Sequence, residues 1–215
     1  MYSPARYVRA INVSVGSVGA PVTSIPPSTM NRFFTSWAWQ NELTNPRHVA
    51  TSPFNSYNYH GKGFFGTFVD VVVLGATEVD VNFNANVVTH SDGRLLHGIG
   101  GWQNCLFAEC TILAVPAVRD RIPVIVDEVT TLTGPGELID VIVTERGIAI
   151  NPLRRDLLDA VRGKDLPMRD IHDIQREVEQ ICGEKPQRPR RGDKVVAAVK
   201  WVDGTVIDSV WQVKH

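Results

Sequence analysis

The sequence lacks the features by which several large classes of protein are recognised. Its formal net charge is −1, so it has no excess of positive charge that would attract nucleic acid or an anionic membrane. It has no run of about 18 apolar residues, which excludes a membrane-spanning helix. It also has no Walker, Gly-x-Ser-x-Gly or HExxH motif, so the sequence indicates no nucleotide-binding loop, serine nucleophile or zinc-protease site.

Cysteine is also scarce. The three cysteines, Cys105, Cys110 and Cys182, form no CxxC pair and no even framework for disulfides. Residues 1–10 contain no apolar stretch of the length that a signal peptide needs. We therefore expect a reducing, cytoplasmic location. The histidines have no HxH or HExxH spacing, so no metal site is predicted.

The residues from 66 onward have the pattern of an α/β domain. Short β-branched runs, typical of strands that are buried on both faces, occupy 69–76, 111–115, 123–126, 138–144 and 148–150. Apolar stripes at helical spacing follow at 153–163 and 171–182. Asp203-Gly204 between two β-rich runs predicts a hairpin. The sequence therefore predicts an open, largely parallel sheet flanked by helices, with a C-terminal β-hairpin.

Residues 1–65 differ from this region. They are rich in Ser, Thr, Asn, Pro and aromatic residues and carry few charges. Their apolar aromatics Phe33, Phe34, Trp37 and Trp39 have little charge around them, and apolar patches of this kind usually meet a partner. We interpret residues 1–65 as an irregular, partner-binding N-terminal segment and residues 66–215 as the α/β domain.

Ordered strings along the chain resemble a known family. They lie at 74–87, 91–93, 127–152 and 203–213. Together they resemble the second half of citrate lyase alpha chains, which belong to the coenzyme A transferase superfamily. The resemblance implies a coenzyme A transferase-like α/β fold. It also implies acyl transfer, in which the thioester of coenzyme A or of an acyl carrier is exchanged between small carboxylic acids.

The resemblance also implies a partner. Family chains carry an earlier, homologous α/β domain that is missing from this sequence. We therefore expect a second α/β subunit or a homo-oligomer to complete the enzyme, with a small carboxylic acid as its substrate. We expect no metal, no nucleic acid and no membrane among its partners.

One loop departs from the family pattern. Family chains typically read Gly-Gly-His-x-Asp, whereas residues 100–104 of this chain read Gly-Gly-Trp-Gln-Asn. The indole of Trp102 donates one hydrogen bond but cannot shuttle protons, and the amide of Asn104 does not titrate. The altered loop therefore predicts a substrate that is bulkier or less anionic than citrate.

Glu78 is the residue that we expect to be catalytic. It follows the first core strand, and strand ends in open α/β sheets face the ligand crevice. Its carboxylate could attack a thioester as a nucleophile or activate water as a general base. The alternative is a structural role, in which Glu78 caps a neighbouring loop or forms a salt bridge with it.

Further residues are predicted to bind substrate or thioester. They are Gly98, Gly100, Gly101, Trp102, Gln103, Asn104, Asn86 and His60. The glycines would bring backbone N–H donors close to an oxyanion, although a tight turn explains the same glycines. Trp102 and Gln103 would form a wall of the pocket. His60 lies in a Tyr- and Gly-containing loop that is typical of a mobile cover.

Two other functions fit the same residues. The chain could be a non-catalytic binding or scaffold subunit, because the loop at 100–104 has lost its titratable groups. It could also be a divergent hydrolase or lyase acting on a small carboxylic acid derivative. The environment of Glu78 is a discriminator, since a carboxylate in an open cleft favours an enzyme and one buried in a salt bridge favours a scaffold.

Overall fold

The structure is a computed structural model that describes residues 69–183 and 189–214. The N-terminal segment 1–65, which includes His60, lies outside the described residues. The division of the chain into this segment and an α/β domain therefore stays a prediction.

Short strands make up most of the regular structure. In chain order they are β1 Val71–Leu74, β2 Glu78–Asp80, β3 Ala85–Asn86, β4 Cys110–Ala114, β5 Val118–Arg119, β6 Ile122–Pro123, β7 Ile125–Val126, β8 Val141–Thr144, β9 Gly147–Ile150, β10 Arg191–Lys200 and β11 Val206–Val213. The helices are α1 Trp102–Cys105, α2 Arg155–Val161 and α3 Ile171–Cys182, and a 3-10 turn covers Gly136–Leu138.

The main sheet has the strand order β1-β4-β8-β9. β1 pairs with β4 and β4 pairs with β8 in parallel, whereas β9 returns antiparallel to β8. Val72, Leu113 and Ile142 fill the core from these strands and are at most 1% exposed. Because β1, β4 and β8 are parallel, their carboxyl ends meet at one edge of the sheet.

A smaller sheet with the order β3-β2-β7 shares this core. β2 pairs antiparallel with β3, which places Glu78 opposite Asn86, and it pairs in parallel with β7. The turn between β2 and β3 is organised by Asp80. Its Oδ1 accepts hydrogen bonds from the N–H groups of Asn82 and Asn84, both at 2.9 Å.

β5 and β6 form a short hairpin between β4 and β7. Its central residues, Asp120 and Arg121, have positive φ values of 49° and 68°. Two-residue hairpins with positive φ at both central positions favour Asn and Gly, so this turn is unusual in sequence. The hairpin holds Arg119 and Ile122 beside the carboxyl ends of the main strands.

α3 packs against the core through one face. Asp170 caps its N-terminus by accepting a hydrogen bond from the N–H of His172. Ile171, Ile174 and Val178 are buried on its inner face. The 3.6-residue apolar period of the sequence therefore predicts both the helix and its buried side.

The predicted fold class is confirmed, including the C-terminal hairpin, in which Asp203-Gly204 lies between β10 and β11. Two details differ from the sequence pattern. The run at 123–126 changes partner from β5 to β2, so it is divided between β6 and β7. The apolar stripe of α2 does not pack on the described core, since Leu153 is 70% exposed and no α2 residue is buried.

Candidate functional site

The carboxyl ends of β1, β4 and β8 are joined by hydrogen bonds that do not belong to the sheet. Arg119 Nη2 donates to the carbonyl oxygen of Ala76 at 3.3 Å, which links the β5–β6 hairpin to the segment that follows β1. The N–H of Ala117, after β4, donates to Oε2 of Glu145, after β8, at 2.9 Å. Ligands of open α/β sheets bind at this edge, so its surface is the first candidate for a site.

A cavity of about 350 Å³ lies at this edge. Its lining residues are Thr77, His90, Ser91, Asp92, Arg94, Arg119, Ile122 and Val124, and we call them the edge pocket. They come from the segment after β1, the turn at 90–94 and the residues around the β5–β6 hairpin. The volume falls at the lower end of the roughly 300–1,000 Å³ that is typical of small-molecule sites.

The edge pocket contains two cationic side chains, Arg94 and Arg119. Arg94 Nε lies 3.4 Å from Asp92 Oδ2 in an exposed ion pair, which balances one of the positive charges. None of the ion pairs among the described residues includes Arg119. A guanidinium has five N–H donors in a planar fork that matches a carboxylate. The geometry therefore suits an anionic ligand with a planar carboxylate group.

Glu78 directly follows Thr77 of the edge pocket but lies in the interior, with only 3% of its surface exposed. Its Oε2 accepts hydrogen bonds from Asn86 Nδ2 at 2.9 Å and from the N–H of Thr130 at 2.8 Å. Its Oε1 accepts a hydrogen bond from the Thr130 hydroxyl at 3.1 Å. These partners are neutral, so Glu78 has neither of the two environments that were expected to discriminate an enzyme from a scaffold.

Asn86 is fully buried and connects Glu78 to the next turn. Besides Glu78, its Nδ2 contacts the carbonyl oxygen and the Oγ1 of Thr89, at 3.2 and 3.0 Å. Its Oδ1 accepts hydrogen bonds from the N–H groups of Val88 and Thr89, at 3.2 and 3.1 Å. Thr89 in turn donates to Thr131 Oγ1 at 2.9 Å. The structure thus brings the predicted residues Glu78 and Asn86 together in one buried polar network.

Asp80 is fully buried near this network. Burial raises the pKa of its carboxyl above the ordinary value of 3.8, against the opposing effect of hydrogen bonds from Asn84, Val129 and Asn82. Asp80 organises the β2–β3 turn and does not line the edge pocket. Asp80 therefore stabilises the β2–β3 turn.

Trp102 belongs to the hydrophobic core, with 3% of its surface exposed. Its Nε1 donates to the carbonyl oxygen of Gly75 at 2.9 Å. The far edge of the ring lies so close to Gly134 that a Cβ there would be 2.5 Å from Cη2 and Cζ3. The indole is therefore positioned between the carboxyl end of β1 and the Gly134 backbone, and it is not a lining residue of the edge pocket.

The rest of the 98–104 loop lies around α1. Gln103 is 4% exposed, and its Nε2 donates to the carbonyl oxygen of Thr133 at 2.9 Å. A Cβ added at Gly98 or Gly100 would meet nothing within 4 Å, and Gly100 has a φ of 59°. Gly101 precedes the helix, and a Cβ added there would lie 4.0 Å from Asn104 Nδ2. A role for these backbone N–H groups at an oxyanion stays a prediction.

The cysteines do not have the properties of nucleophiles. Burial raises the pKa of Cys105 to about 11, and it also raises the pKa values of Cys110 and Cys182. A protonated thiol is a poor nucleophile. All three cysteines are free.

Residues 69–183 and 189–214 contain neither a metal-ligand cluster nor a membrane-spanning helix. Within those ranges, no group of three or more His, Cys, Asp or Glu side chains is arranged to hold a metal ion. No helix in the same ranges is long and apolar enough to cross a membrane.

The sequence interpretation missed the charged residues of the edge pocket. Arg119 follows β4 much as Glu78 follows β1, so the strand-end rule that selects Glu78 also selects Arg119. His90 and Arg94 flank the turn at 91–93, whose only signal in the sequence is its family resemblance. The hydrogen bond from the N–H of His90 to the carbonyl oxygen of Arg94, at 2.9 Å, closes this turn and brings both residues to the same wall.

Comparisons with known proteins agree along most of the chain. The family model "Citrate lyase, alpha subunit (CitF)" matches residues 30–213. The chain is 40% identical to the citrate lyase alpha chain of Haemophilus influenzae over 182 residues, which are 84% of this chain and 36% of that one. It is 43% identical to the citrate lyase alpha chain of Klebsiella pneumoniae over 173 residues, which are 80% of this chain and 34% of that one.

A solved structure gives the same result. The crystal structure of the alpha subunit of citrate lyase from Streptococcus mutans, in complex with citrate, matches this fold with a TM-score of 0.77 and 37% sequence identity. The match covers 83% of this chain and 35% of that chain.

The parallel strands, with an arginine-containing cavity at their carboxyl ends, define an open α/β protein. Together with the match to residues 30–213, they place the chain in a family. The chain belongs to the citrate lyase alpha subunit family, as its sequence strings predicted. It spans about a third of the length of the curated relatives it matches, at 34–36% of each.

Proposed function

We propose that this chain is a subunit of an acyl-transfer enzyme and that its edge pocket binds the small carboxylic acid that takes over the coenzyme A or acyl-carrier thiol, forming the new thioester as the donor acid is released. The main support for this proposal is the position of Arg119 and Arg94 in a cavity of about 350 Å³ at the carboxyl edge of the sheet. The Streptococcus mutans relative was crystallised with citrate, which supports a carboxylic acid as the ligand.

The lining residues suggest how such an acid would be held. Arg119 uses one N–H on Ala76 and has further donors in the same plane, so it would bind a carboxylate in bidentate fashion. Arg94 and His90 would contact a second polar group from the opposite wall. Ile122 and Val124 would contact the carbon skeleton. In this proposal the thioester of coenzyme A or of an acyl carrier is the second substrate, with the 98–101 backbone as the predicted donor to its carbonyl oxygen.

The proposal also includes a partner, which is a second α/β subunit or a second copy of this chain. The three free cysteines are consistent with a reducing cytoplasm. Co-purification from the native source, followed by mass measurement of the complex, would identify the partner. An active monomer at low concentration in light scattering would contradict this part of the proposal.

Substitution of Arg119 tests the pocket directly. Arg119→Ala should weaken citrate binding to the full chain by roughly 10- to 100-fold, because charge-assisted hydrogen bonds contribute about 1.5–3 kcal/mol. Arg119→Lys should give an intermediate loss, since lysine keeps the charge but not the fork. Isothermal titration calorimetry gives the Kd for citrate in each variant.

Arg121→Ala is the matched control. Arg121 lies on the same hairpin, is exposed and does not line the edge pocket, so its loss should leave the Kd unchanged. Equal effects of the Arg119 and Arg121 substitutions would indicate non-specific charge attraction. Wild-type binding by Arg119→Ala would remove the edge pocket from the proposal.

A second candidate, a non-catalytic binding subunit, is favoured by the loop at 100–104. Trp102 and Gln103 are both buried and hydrogen-bonded to backbone carbonyls, and the loop has no titratable side chain. The two candidates differ in turnover. If the chain is catalytic, the complex of this chain with its co-purified partner should transfer coenzyme A from acetyl-CoA to citrate, forming citryl-CoA and releasing acetate. It should bind citrate without transfer if the chain is a binding subunit.

A further inference from the structure

The buried polar network beneath the edge pocket points to a role for Glu78 that differs from nucleophilic attack. We propose that Glu78 is a positioning residue, which fixes the 89–94 turn through Asn86 and thereby sets the places of His90 and Arg94 in the edge pocket. This inference rests on the proposed function, because it concerns the same carboxylate-binding pocket.

The chemistry of Glu78 explains how it can act at a distance. An ionised carboxylate only accepts hydrogen bonds, so it requires a donor from every neighbour. Asn86 must therefore present its NH₂ group to Glu78, at 2.9 Å, and not its carbonyl oxygen. Thr130 meets the same requirement with its N–H and its hydroxyl. Glu78 thus determines which way round the Asn86 amide lies.

The orientation of Asn86 then determines the start of the turn. With its NH₂ group toward Glu78, its Oδ1 accepts the N–H of Thr89 at 3.1 Å and that of Val88 at 3.2 Å. The same NH₂ group contacts the carbonyl oxygen of Thr89 at 3.2 Å. A reversed amide would place Oδ1 against the carboxylate and NH₂ against two N–H donors. Both arrangements are repulsive, so only one orientation satisfies the buried groups.

The turn that begins at Thr89 forms one wall of the edge pocket. The N–H of His90 donates to the carbonyl oxygen of Arg94 at 2.9 Å, and the N–H of Gly93 donates to the carbonyl oxygen of His90 at 2.9 Å. The Thr130 hydroxyl also lies 3.4 Å from the carbonyl oxygen of Ser91. The network therefore reaches this wall from two directions, through Thr89 and through Thr130.

Burial argues against direct attack by Glu78. The side chain is 3% exposed, is not a lining residue of the edge pocket, and has hydrogen-bond donors on both oxygens. A nucleophile needs a free lone pair that faces the substrate, and a general base needs to reach a proton directly or through one water. The positions of its partners fit a carboxylate that organises its neighbours.

Glu78→Gln separates the two roles. The substitution keeps the size of the side chain but removes its negative charge: the remaining oxygen can accept from Asn86 and from the N–H of Thr130 only as a neutral acceptor, and the new NH₂ group forces the Thr130 hydroxyl to accept instead of donate. A positioning role predicts that the Kd and KM for citrate rise by roughly 10-fold, the scale of a lost buried hydrogen bond, while kcat stays within a few-fold of wild type.

Controls distinguish positioning from a general loss of stability. Asp140→Asn disturbs another buried carboxylate, which accepts from the N–H of Thr111 at 2.6 Å and pairs with Arg154 at 2.7 Å. It lies at the amino ends of β4 and β8, away from the edge pocket, so it should lower stability and leave the Kd for citrate unchanged. Should Glu78→Gln fail to fold, Thr130→Val and Thr130→Ser are used, of which only Val should weaken citrate binding.

Each outcome decides between the two roles. A roughly 100-fold or greater loss of kcat with an unchanged KM would overturn the inference, since catalytic acids, bases and nucleophiles contribute on that scale. Wild-type Kd and kcat in Glu78→Gln would overturn it as well. The proposed function itself is tested separately by Arg119→Ala. If Arg119→Ala binds citrate as well as wild type, citrate does not bind in the edge pocket and the proposed function is wrong. If Arg119→Ala weakens binding but the Glu78 and Thr130 variants bind normally, the edge pocket is supported and only the positioning role of Glu78 is wrong.

Discussion

Trp102 offers a prediction that connects the altered family loop to the core. Trp102→His introduces the imidazole that the resemblance to the family implies at this position. It also removes the six-membered ring of a side chain that is 3% exposed. That ring contributes roughly 80–100 Å² of apolar surface, or about 2 kcal/mol at about 25 cal/mol per Å². If the imidazole cannot reach the carbonyl oxygen of Gly75, a lost hydrogen bond adds about 1 kcal/mol.

The expected loss in the free energy of unfolding is therefore about 2–3 kcal/mol. For a chain of this size it corresponds to a decrease in Tm of roughly 5–10 °C. Thermal and urea unfolding followed by far-UV circular dichroism measures both quantities. Circular dichroism is preferred to fluorescence, because the chain has five tryptophans.

Gly134 makes this prediction specific. In the wild-type chain, a Cβ at residue 134 would lie 2.5 Å from the indole, so Gly134→Ala should cost about 1–3 kcal/mol. In the Trp102→His background those ring atoms are gone, and the same substitution should cost less than about 1 kcal/mol. The double-mutant cycle should thus give a coupling energy of about 1 kcal/mol or more. Additive effects within about 0.3 kcal/mol would refute the assigned contact between the indole and Gly134.

Three further predictions concern stability. Thr111→Val should stabilise the chain by up to about 1 kcal/mol in urea unfolding, because Thr111 Oγ1 is buried without a hydrogen-bond partner among the described residues; a loss would contradict this. Gly136→Ala should cost at least about 2 kcal/mol, because its Cβ would overlap the carbonyl oxygen of Asn82, whereas Gly98→Ala, with open space around it, should be neutral. Burial raises the folded-state pKa of Asp80 above 3.8, so the stability it contributes is present below about pH 4 and is lost as the pH rises through the raised pKa. Asp80→Asn should flatten this part of the pH–stability curve, and an unchanged slope would exclude Asp80 as its source.

The main strands could be predicted because burial on both faces leaves a clear sequence pattern. Runs of Val, Ile and Leu mark β1, β4 and β8, and only a parallel, covered sheet buries such runs completely. The hairpin at Asp203-Gly204 was equally readable from its turn residues. β2 and β3 are harder to predict from the sequence, because strands of three and two residues are too short to show an alternating pattern. Their position depends on the partner strand and on the Asp80 turn.

The edge pocket could be predicted only in part. The rule that ligands lie at carboxyl strand ends indicates the correct edge, and Thr77 next to Glu78 lies there. The rule does not say which side chain faces inward. Glu78 faces the buried network, whereas Arg119 is brought to the edge by a hairpin whose turn residues gave no hairpin signal. Trp102 was expected at a pocket wall, but the space beside Gly134 that accepts its ring exists only in three dimensions.

The β5–β6 hairpin has a consequence for engineering and for natural variation. With positive φ at Asp120 and Arg121, the turn has backbone strain that a glycine would relieve. Arg121→Gly is therefore a route to a more stable chain, by up to about 1 kcal/mol. Arg121→Gly would also make the β5–β6 hairpin more flexible, and this hairpin holds Arg119 in its position at the edge pocket. Glycine at residue 121 should therefore combine higher thermal stability with weaker carboxylate binding, whereas alanine, which keeps the stiffness of the turn, should leave binding unchanged.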